Sequence, residues 1–144
     1  MIHYPIFVYG TLMSGECAHA LLSAASLHHL DACLPNARLY STGSYPIAVD
    51  CDQTRPGEEA AIWGEVHWLH TEEYTTHLTA LDLYEGDEYR RLLRSVVLVD
   101  ARMSSEQSLH PVEAWVYLGD AVYAAQYPTI ATGNWRERDD HVGD

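Results

Sequence analysis

A single glutamate on the apolar face of a predicted helix is the strongest chemical signal in this sequence. The segment from Glu72 to Glu85 places Tyr74, Leu78 and Leu81 on one face, and the next step of that stripe reaches Glu85. Burial, the negative end of the helix dipole and the acidic residues at positions 82, 87 and 88 all disfavour the ionised form of this carboxyl group. The sequence therefore predicts a glutamate with a raised pKa, suited to general acid/base catalysis near neutral pH.

The same glutamate also has a purely structural interpretation. Gly86 follows directly and is expected to end the helix, so Glu85 could lie past the last turn and point to solvent. It could also form an ion pair with Arg90, Arg91 or Arg94. Only a buried, unpaired carboxyl group would titrate well above the reference pKa of about 4.3.

A glycine turn near the N-terminus is the second chemical signal. An apolar run from Ile6 to Tyr9 predicts a buried strand that stops at Gly10, and helical spacing begins at about Glu16. A turn of this kind can leave backbone N–H groups unpaired, and these hold carboxylates, phosphates or oxyanions without a basic side chain. Tyr9-Gly10-Thr11-Leu12 is therefore either a ligand cradle or a plain connecting turn.

The charge balance excludes several classes of function. The chain has 21 acidic and 8 basic residues, a formal net charge of −13, and every basic residue is arginine. Such a surface repels phosphate backbones, so we expect no nucleic-acid partner. Without lysine, mechanisms that need a Schiff base or a phosphate-loop lysine are also excluded.

Cysteine and histidine give no metal pattern. Cys17, Cys33 and Cys51 are odd in number and match no zinc spacing, which favours a reducing, cytoplasmic compartment. His67 and His70 are three residues apart, but the first lies on a predicted strand and the second beyond its end, so we expect no metal site. The sequence also predicts no signal peptide and no membrane span.

The predicted elements describe one domain over residues 1–144, with a frayed tail from about residue 137. Strands are expected around 6–9, 60–69, 92–99 and 112–118, with two short strands or one bent strand on either side of Gly43 and an exposed loop at 50–59. Helices are expected from about residue 16 and over 72–85, the second capped by Thr71, and His28-His29 is expected at an exposed helix end. This pattern indicates an α+β fold with a small, mostly antiparallel or mixed sheet curled toward a barrel and helices packed outside.

The tryptophans are assigned to the core by default. Trp63, Trp68 and Trp115 alternate with smaller residues on predicted strands. Trp135 either folds back over the barrel or belongs to a tail that dangles.

Six short motifs occur together in the order and spacing of a known family. They are Tyr9-Gly10-Thr11-Leu12, Tyr45-Pro46, Gly64-Glu65-Val66, Leu81-Asp82-Leu83-Tyr84-Glu85-Gly86, Tyr89-Arg90-Arg91 and Ala114-Trp115-Val116-Tyr117. This set resembles the gamma-glutamylcyclotransferase-like family over residues 6–136, in particular its small single-domain members of the gamma-glutamylamine cyclotransferase type. The resemblance implies a small mixed barrel with flanking helices and a pocket at one side.

The resemblance also implies a reaction and a set of site residues. The free α-amine of a γ-glutamyl group attacks its own γ-carbonyl, which closes 5-oxoproline and expels an amine, with no cofactor and no metal. Glu85 maps onto the catalytic acid/base, and the segment from Tyr9 to Leu12 maps onto the turn that gives backbone amides to the substrate. The motifs also imply that Tyr45, Tyr89 and Tyr117 form walls of the substrate pocket.

Several alternatives remain open at the level of sequence. The substrate could be a γ-glutamyl amino acid, a γ-glutamyl amine or a γ-glutamyl-lysine isopeptide, and the protein could be a monomer or a homodimer. The same pocket could belong to a small-molecule-binding module without turnover, or to an amide hydrolase that forms no cyclic product.

Overall fold

The structure is a computed structural model that describes residues 2–51, 60–99 and 110–137. Most of the predicted loop at 50–59, the turn before the last predicted strand and the tail beyond residue 137 lie outside these residues. Within the described ranges the strands are β1 Ile6–Val8, β2 Ser26–Pro35, β3 Ala37–Ser41, β4 Pro46–Asp50, β5 Ala61–Leu69, β6 Tyr89–Leu98 and β7 His110–Gly119. The α-helices are α1 His19–Ser23, α2 Tyr74–Glu85 and α3 Ala121–Ala124, and a 3-10 helix follows at Trp135–Glu137.

Five of the strands form a closed barrel in the order β1-β5-β2-β6-β7. β1 pairs in parallel with β7 and antiparallel with β5, while the β2–β5, β2–β6 and β6–β7 pairs are all antiparallel. The apolar run of β1 is fully buried because it lies between β5 and β7. The predicted α+β class and the mixed, mostly antiparallel barrel are therefore confirmed.

β5 is the strand that joins both sides of the barrel, since it pairs with β1 and with β2. Val8 is opposite Glu65 in this register. Gly64 allows the close approach, because a Cβ there would lie 2.1 Å from the carbonyl oxygen of Val8. Glu65 is consequently placed next to the end of β1, where the glycine turn begins.

The segment around Gly43 forms two strands, β3 and β4, which pair as a separate hairpin. The hairpin packs on the end of β7, where a Cβ on Gly119 would lie 2.4 Å from Cγ2 of Ile47. Its β3 edge is also tied to the C-terminal segment, since the Ile130 N–H donates to the Leu39 carbonyl at 2.8 Å. Pro46 begins the second strand of the hairpin and faces the glycine turn.

Helix α2 carries the predicted stripe but begins later than predicted. Tyr74, Leu78 and Leu81 are its buried residues, as the spacing indicated. The prediction of Thr71 as the cap is wrong: the helix begins at Tyr74, and the N-cap residue Glu73 has a left-handed backbone and makes no side-chain cap hydrogen bond. The helix ends at Glu85, and the N–H of Gly86, at φ +77°, donates to the Asp82 carbonyl at 3.0 Å.

Three further expectations are corrected. Residues 26–35 form strand β2, so His28 and His29 lie on a strand and not at a helix end. The first helix begins at His19, because the chain from Gly10 runs through successive turns. Trp63 is 43% exposed on β5 and is not a core residue, whereas Trp135 is 1% exposed and packs into the core.

None of the helices in the described residues has the length and apolar character needed to cross a membrane.

Candidate active site

A cavity of about 470 Å³ lies where the glycine turn, the hairpin and the C-terminal end of α2 meet. It brings together all eight residues that the sequence analysis placed in a site. These are Tyr9, Gly10, Thr11, Leu12, Tyr45, Glu85, Tyr89 and Tyr117. Its volume suits a small-molecule ligand.

The Glu85 side chain lines this cavity and is partly buried. Burial raises the pKa of its carboxyl group from 4.5 to about 7. Arg91 and Arg94, two of its predicted alternative partners, bind Asp82 and Asp50 instead, each at 2.7 Å. The third candidate arginine is exposed, and no ion pair joins Glu85 to an arginine within the described residues.

The pKa of Glu85 is raised, as the sequence predicts, but fewer causes contribute to the shift than expected. The expected contributions from the helix end and from the neighbouring acidic residues are not needed, because loss of solvation accounts for the shift. Asp82, the acidic neighbour on the same helix, is held by Arg91 and by the Tyr117 hydroxyl. Depth within the cavity is therefore the property that sets the proton affinity of Glu85.

Three tyrosine side chains form the wall around this carboxyl group. The hydroxyl of Tyr9 donates to the backbone carbonyl of Tyr117, that of Tyr89 to a backbone carbonyl of the hairpin at 2.6 Å, and that of Tyr117 to Asp82 at 2.7 Å. Burial raises the pKa of all three hydroxyls, and the nearby charge of Glu85 adds to the effect. The three hydroxyls therefore stay protonated. The tyrosine side chains surround Glu85 with a rigid wall that solvates its carboxylate poorly.

The glycine turn lines the cavity and contains backbone donors with no acceptor among the described residues. Within the described part of the chain, the N–H groups of Gly10, Thr11 and Leu12 donate to no backbone carbonyl. The turn is closed on its other side, where the Met13 N–H donates to the Gly10 carbonyl at 3.0 Å. A Cβ at position 10 would lie 2.5 Å from Cγ of Pro46, so only glycine fits against the hairpin.

Two hydrogen bonds join cavity-lining residues at the solvent-facing edge. The Tyr84 and Thr11 hydroxyls are 2.8 Å apart, and the Tyr45 hydroxyl donates to Glu88 at 3.0 Å. Glu88 was expected from the sequence only as an acidic neighbour of Glu85 near the pocket, and Tyr84 was not expected to line the site. Their position within three residues of Glu85 was the available signal, because the turn after a helix brings its neighbours to the same opening.

The lining is strongly acidic. Glu85, Asp87 and Glu88 contribute carboxyl groups, and the described residues that line the cavity include no arginine and no histidine. A cationic group is favoured at such a rim, and a second carboxylate is disfavoured.

The described residues contain no group of three or more His, Cys, Asp or Glu side chains able to hold a metal ion. His67 is buried and bonded to Glu65 at 3.0 Å and to Ser26 at 2.8 Å, whereas His70 is exposed. The three cysteines are free thiols. Of these, Cys17 lies at the edge of the cavity.

Comparison with known proteins gives consistent matches. The family model described as "Gamma-glutamyl cyclotransferase, AIG2-like" matches residues 6–137. A protein of Vibrio cholerae, provisionally named a gamma-glutamylcyclotransferase, is 32% identical over 117 residues, which cover 80% of this chain and 92% of the relative.

Solved structures show the same fold at lower identity. An AIG2-like protein of Mus musculus superimposes with a TM-score of 0.64 at 20% identity and covers 89% of this chain and 86% of its own. YkqA of Bacillus subtilis gives a TM-score of 0.63 at 22% identity over 93% of this chain, which spans only 40% of that larger protein. The family match over most of the sequence and the identity to the Vibrio protein place this chain in the gamma-glutamyl cyclotransferase, AIG2-like family.

Proposed function

We propose that this protein closes the γ-glutamyl group of a small molecule to 5-oxoproline and releases an amine or an amino acid, with Glu85 as the general acid/base. One observation carries the proposal. A carboxyl group with a pKa of about 7 faces the same cavity as the free N–H groups of the glycine turn. A pKa at the working pH lets one group accept a proton and later return it.

The reaction begins with a proton transfer. The α-amine of the substrate is an ammonium at neutral pH and cannot attack until it loses a proton. Ionised Glu85 accepts that proton, and the amine nitrogen then forms a bond to the γ-carbonyl carbon, whose oxygen becomes an oxyanion. Because the nucleophile and the carbonyl belong to one molecule, proximity is supplied by the substrate and the chemistry as written needs no cofactor.

Collapse of the tetrahedral intermediate completes the ring. The bond from carbon to the leaving nitrogen breaks as Glu85 returns its proton to that nitrogen. The ring nitrogen then gives up its remaining extra proton, through ionised Glu85, to the released amine, so the products are 5-oxoproline and the amine in its ammonium form. The N–H groups of Gly10, Thr11 and Leu12 hold either the substrate carboxylate or the developing oxyanion. The walls formed by Tyr45, Tyr89, Tyr117 and Tyr9 exclude water from Glu85 and keep its pKa high.

The acidic rim gives a preference among substrates. The charges of Asp87 and Glu88 would repel the carboxylate of a γ-glutamyl amino acid and attract a leaving group that carries a second amine. We therefore expect γ-glutamyl derivatives of diamines to be turned over faster than γ-glutamyl derivatives of acidic amino acids.

The deciding experiment measures 5-oxoproline released from γ-glutamyl amino acids, γ-glutamyl amines and γ-glutamyl-lysine isopeptide. Wild-type protein is compared with Glu85→Gln and with Glu113→Gln, which removes one exposed carboxylate from β7. General acid/base catalysis contributes roughly 100-fold to 10,000-fold, so Glu85→Gln should lose at least about 100-fold while folded and Glu113→Gln should keep full activity.

Two results would contradict the proposal and identify a different function. Release of glutamate in place of 5-oxoproline would identify an amide hydrolase. Saturable binding of γ-glutamyl compounds without any product would identify a binding module that has the pocket but not the reaction.

A further inference from the structure

Glu65 is a buried carboxylate that the proposed reaction does not use. It lies on β5, is 3% exposed and does not line the cavity. Its oxygens accept hydrogen bonds from the N–H and the hydroxyl of Ser14 at 2.9 and 3.2 Å, from Nε2 of His67 at 3.0 Å and from Nη2 of Arg136 at 3.1 Å. A buried charge with four donors from three separate segments organises the chain around it.

One of those segments is the glycine turn itself. Ser14 is two residues beyond Leu12, the last residue of the N–H cradle, and both the main chain and the side chain of Ser14 are fixed by Glu65. A second attachment lies beside it, where Nδ1 of His19 bonds the Leu12 carbonyl at 2.9 Å. Because a carbonyl only accepts, His19 donates this bond, which fixes the peptide after Leu12 to a residue that does not line the cavity. The back of the turn is thus held at two successive points.

The C-terminal segment supplies the cation. Gly133 has φ +71° and accepts a hydrogen bond from the Trp63 N–H at 2.8 Å, which lays this segment along β5. Trp135 is buried in the core, so the next residue, Arg136, is brought over Glu65. The same Nη2 atom also donates to the Ser14 carbonyl. Arg136 therefore bonds both to Glu65 and to the turn that Glu65 holds.

His67 completes the shell in its neutral form. Burial lowers the pKa of His67, and its Nε2 donates to Glu65 while its Nδ1 accepts from the Ser26 hydroxyl. Neutral His67 leaves Arg136 as the full positive charge on Glu65 among the described residues.

We infer that Glu65 and Arg136 are positioning residues for the active site, because they clamp Ser14 and so aim the N–H groups of residues 10–12 into the cavity. This inference rests on the proposed function for its catalytic consequence. The structural consequence, a fixed turn, holds whatever the ligand is.

The test uses the full chain with Glu65→Gln, Arg136→Gln and Arg136→Lys. The matched control is Asp50→Asn, which breaks the exposed ion pair with Arg94 away from the cavity. Amide hydrogen exchange is measured without substrate at Met13 and Ser14, the two residues of this segment whose N–H groups are hydrogen-bonded, and over the barrel. The kcat and KM for 5-oxoproline release are measured as functions of pH.

The clamp predicts faster exchange at Met13 and Ser14 in Glu65→Gln and Arg136→Gln, because the hydrogen bonds of these two N–H groups depend on the fixed turn, with exchange in β5, β6 and β7 unchanged. It predicts a loss in kcat/KM of roughly 10-fold to 100-fold per folded molecule, the range expected when a binding group is misplaced by about 1 Å. The midpoint near pH 7 set by Glu85 should not move. Arg136→Lys should keep most of the activity, because both bonds of Arg136 come from one nitrogen that an ammonium can replace.

Unchanged exchange at Met13 and Ser14 in folded Glu65→Gln or Arg136→Gln would overturn the inference, as would a kcat/KM within twofold of that of Asp50→Asn. If Glu65→Gln does not fold, Arg136→Gln carries the same test. If the wild type releases no 5-oxoproline from any substrate, the proposed function fails, while the exchange measurements still decide whether the clamp exists.

Discussion

Replacing Glu85 by glutamine should stabilise this protein at alkaline pH, although it removes the proposed acid/base. The carboxyl group titrates at about 7 in the folded protein and is expected near 4.5 in the unfolded chain. Between these two values the folded state binds the proton more tightly than the unfolded state does. The free energy of unfolding therefore falls as the pH rises through this window.

The size of the effect follows from the difference between the two pKa values. Each pKa unit corresponds to about 1.36 kcal/mol, so full ionisation of Glu85 costs the folded state about 3 kcal/mol. The side chain is only partly buried, and contact with water reduces the expected cost to about 2 to 3 kcal/mol. Glutamine has nearly the same shape and cannot ionise, so it avoids this cost at every pH.

Urea unfolding of the wild type and Glu85→Gln from pH 4 to pH 8.5 measures the effect directly. The difference in unfolding free energy should be constant below pH 4.5, rise between pH 4.5 and 7, and level off above. Glu113→Gln controls for the change in net charge, since it removes a carboxylate from an exposed position. A Glu85→Gln curve that runs parallel to that of the wild type across the whole range would refute the argument that burial raises the pKa of Glu85.

Three further predictions concern the groups around the site. Tyr117→Phe removes the donor at 2.7 Å from Asp82, and urea unfolding should show a loss of about 1 to 3 kcal/mol; no loss would mean that the bond is not formed in solution. Glu65 has a pKa near 2, because bonds from its three partners outweigh the effect of burial. The free energy of unfolding of the wild type should therefore fall by about 3 kcal/mol relative to that of Glu65→Gln as the pH falls from 4.5 toward 2. Unfolding followed by circular dichroism at a series of acidic pH values should show the two free energies converging. Gly133→Ala should lower Tm more than Gly43→Ala: both have positive φ, but only at Gly133 does a Cβ meet a backbone carbonyl, at 1.9 Å. Equal Tm values would contradict the close packing of the C-terminal segment.

The part of the site that the sequence predicted depends on local periodicity. The stripe through Tyr74, Leu78 and Leu81 identifies the buried face of α2, and Glu85 is the one residue that breaks its apolar character. The error at the start of the helix did not matter, because the phase of the stripe is fixed by its interior residues and not by its cap. The glycine turn could also be predicted locally, because a strand that stops at Gly10 is expected to continue into a turn.

The part that was not predicted depends on contacts between distant segments. β2 was missed because residues Leu27 to Asp31 are exposed on both sides of the strand, so they show no alternation of polar and apolar residues. The ring of donors around Glu65 joins residues at positions 14, 67 and 136, and no spacing in the sequence relates these three. Trp63 was assigned to the core because it is a tryptophan that alternates with smaller residues on a predicted strand, although its side chain is exposed on β5.

The two glutamates show that burial does not by itself decide the charge of a carboxyl group in this fold. Loss of solvation acts to raise the pKa of both carboxyl groups, and Glu65 is the less exposed of the two. The pKa of Glu65 is nevertheless lowered. Glu65 remains ionised because Ser14, His67 and Arg136 replace the lost water with donors. Glu85 is surrounded by tyrosine hydroxyls that donate elsewhere. The first arrangement suits a fixed charge that holds a turn, and the second suits a group that must exchange a proton with a substrate. The same side chain can therefore serve either purpose, and the direction in which neighbouring donors point determines which one.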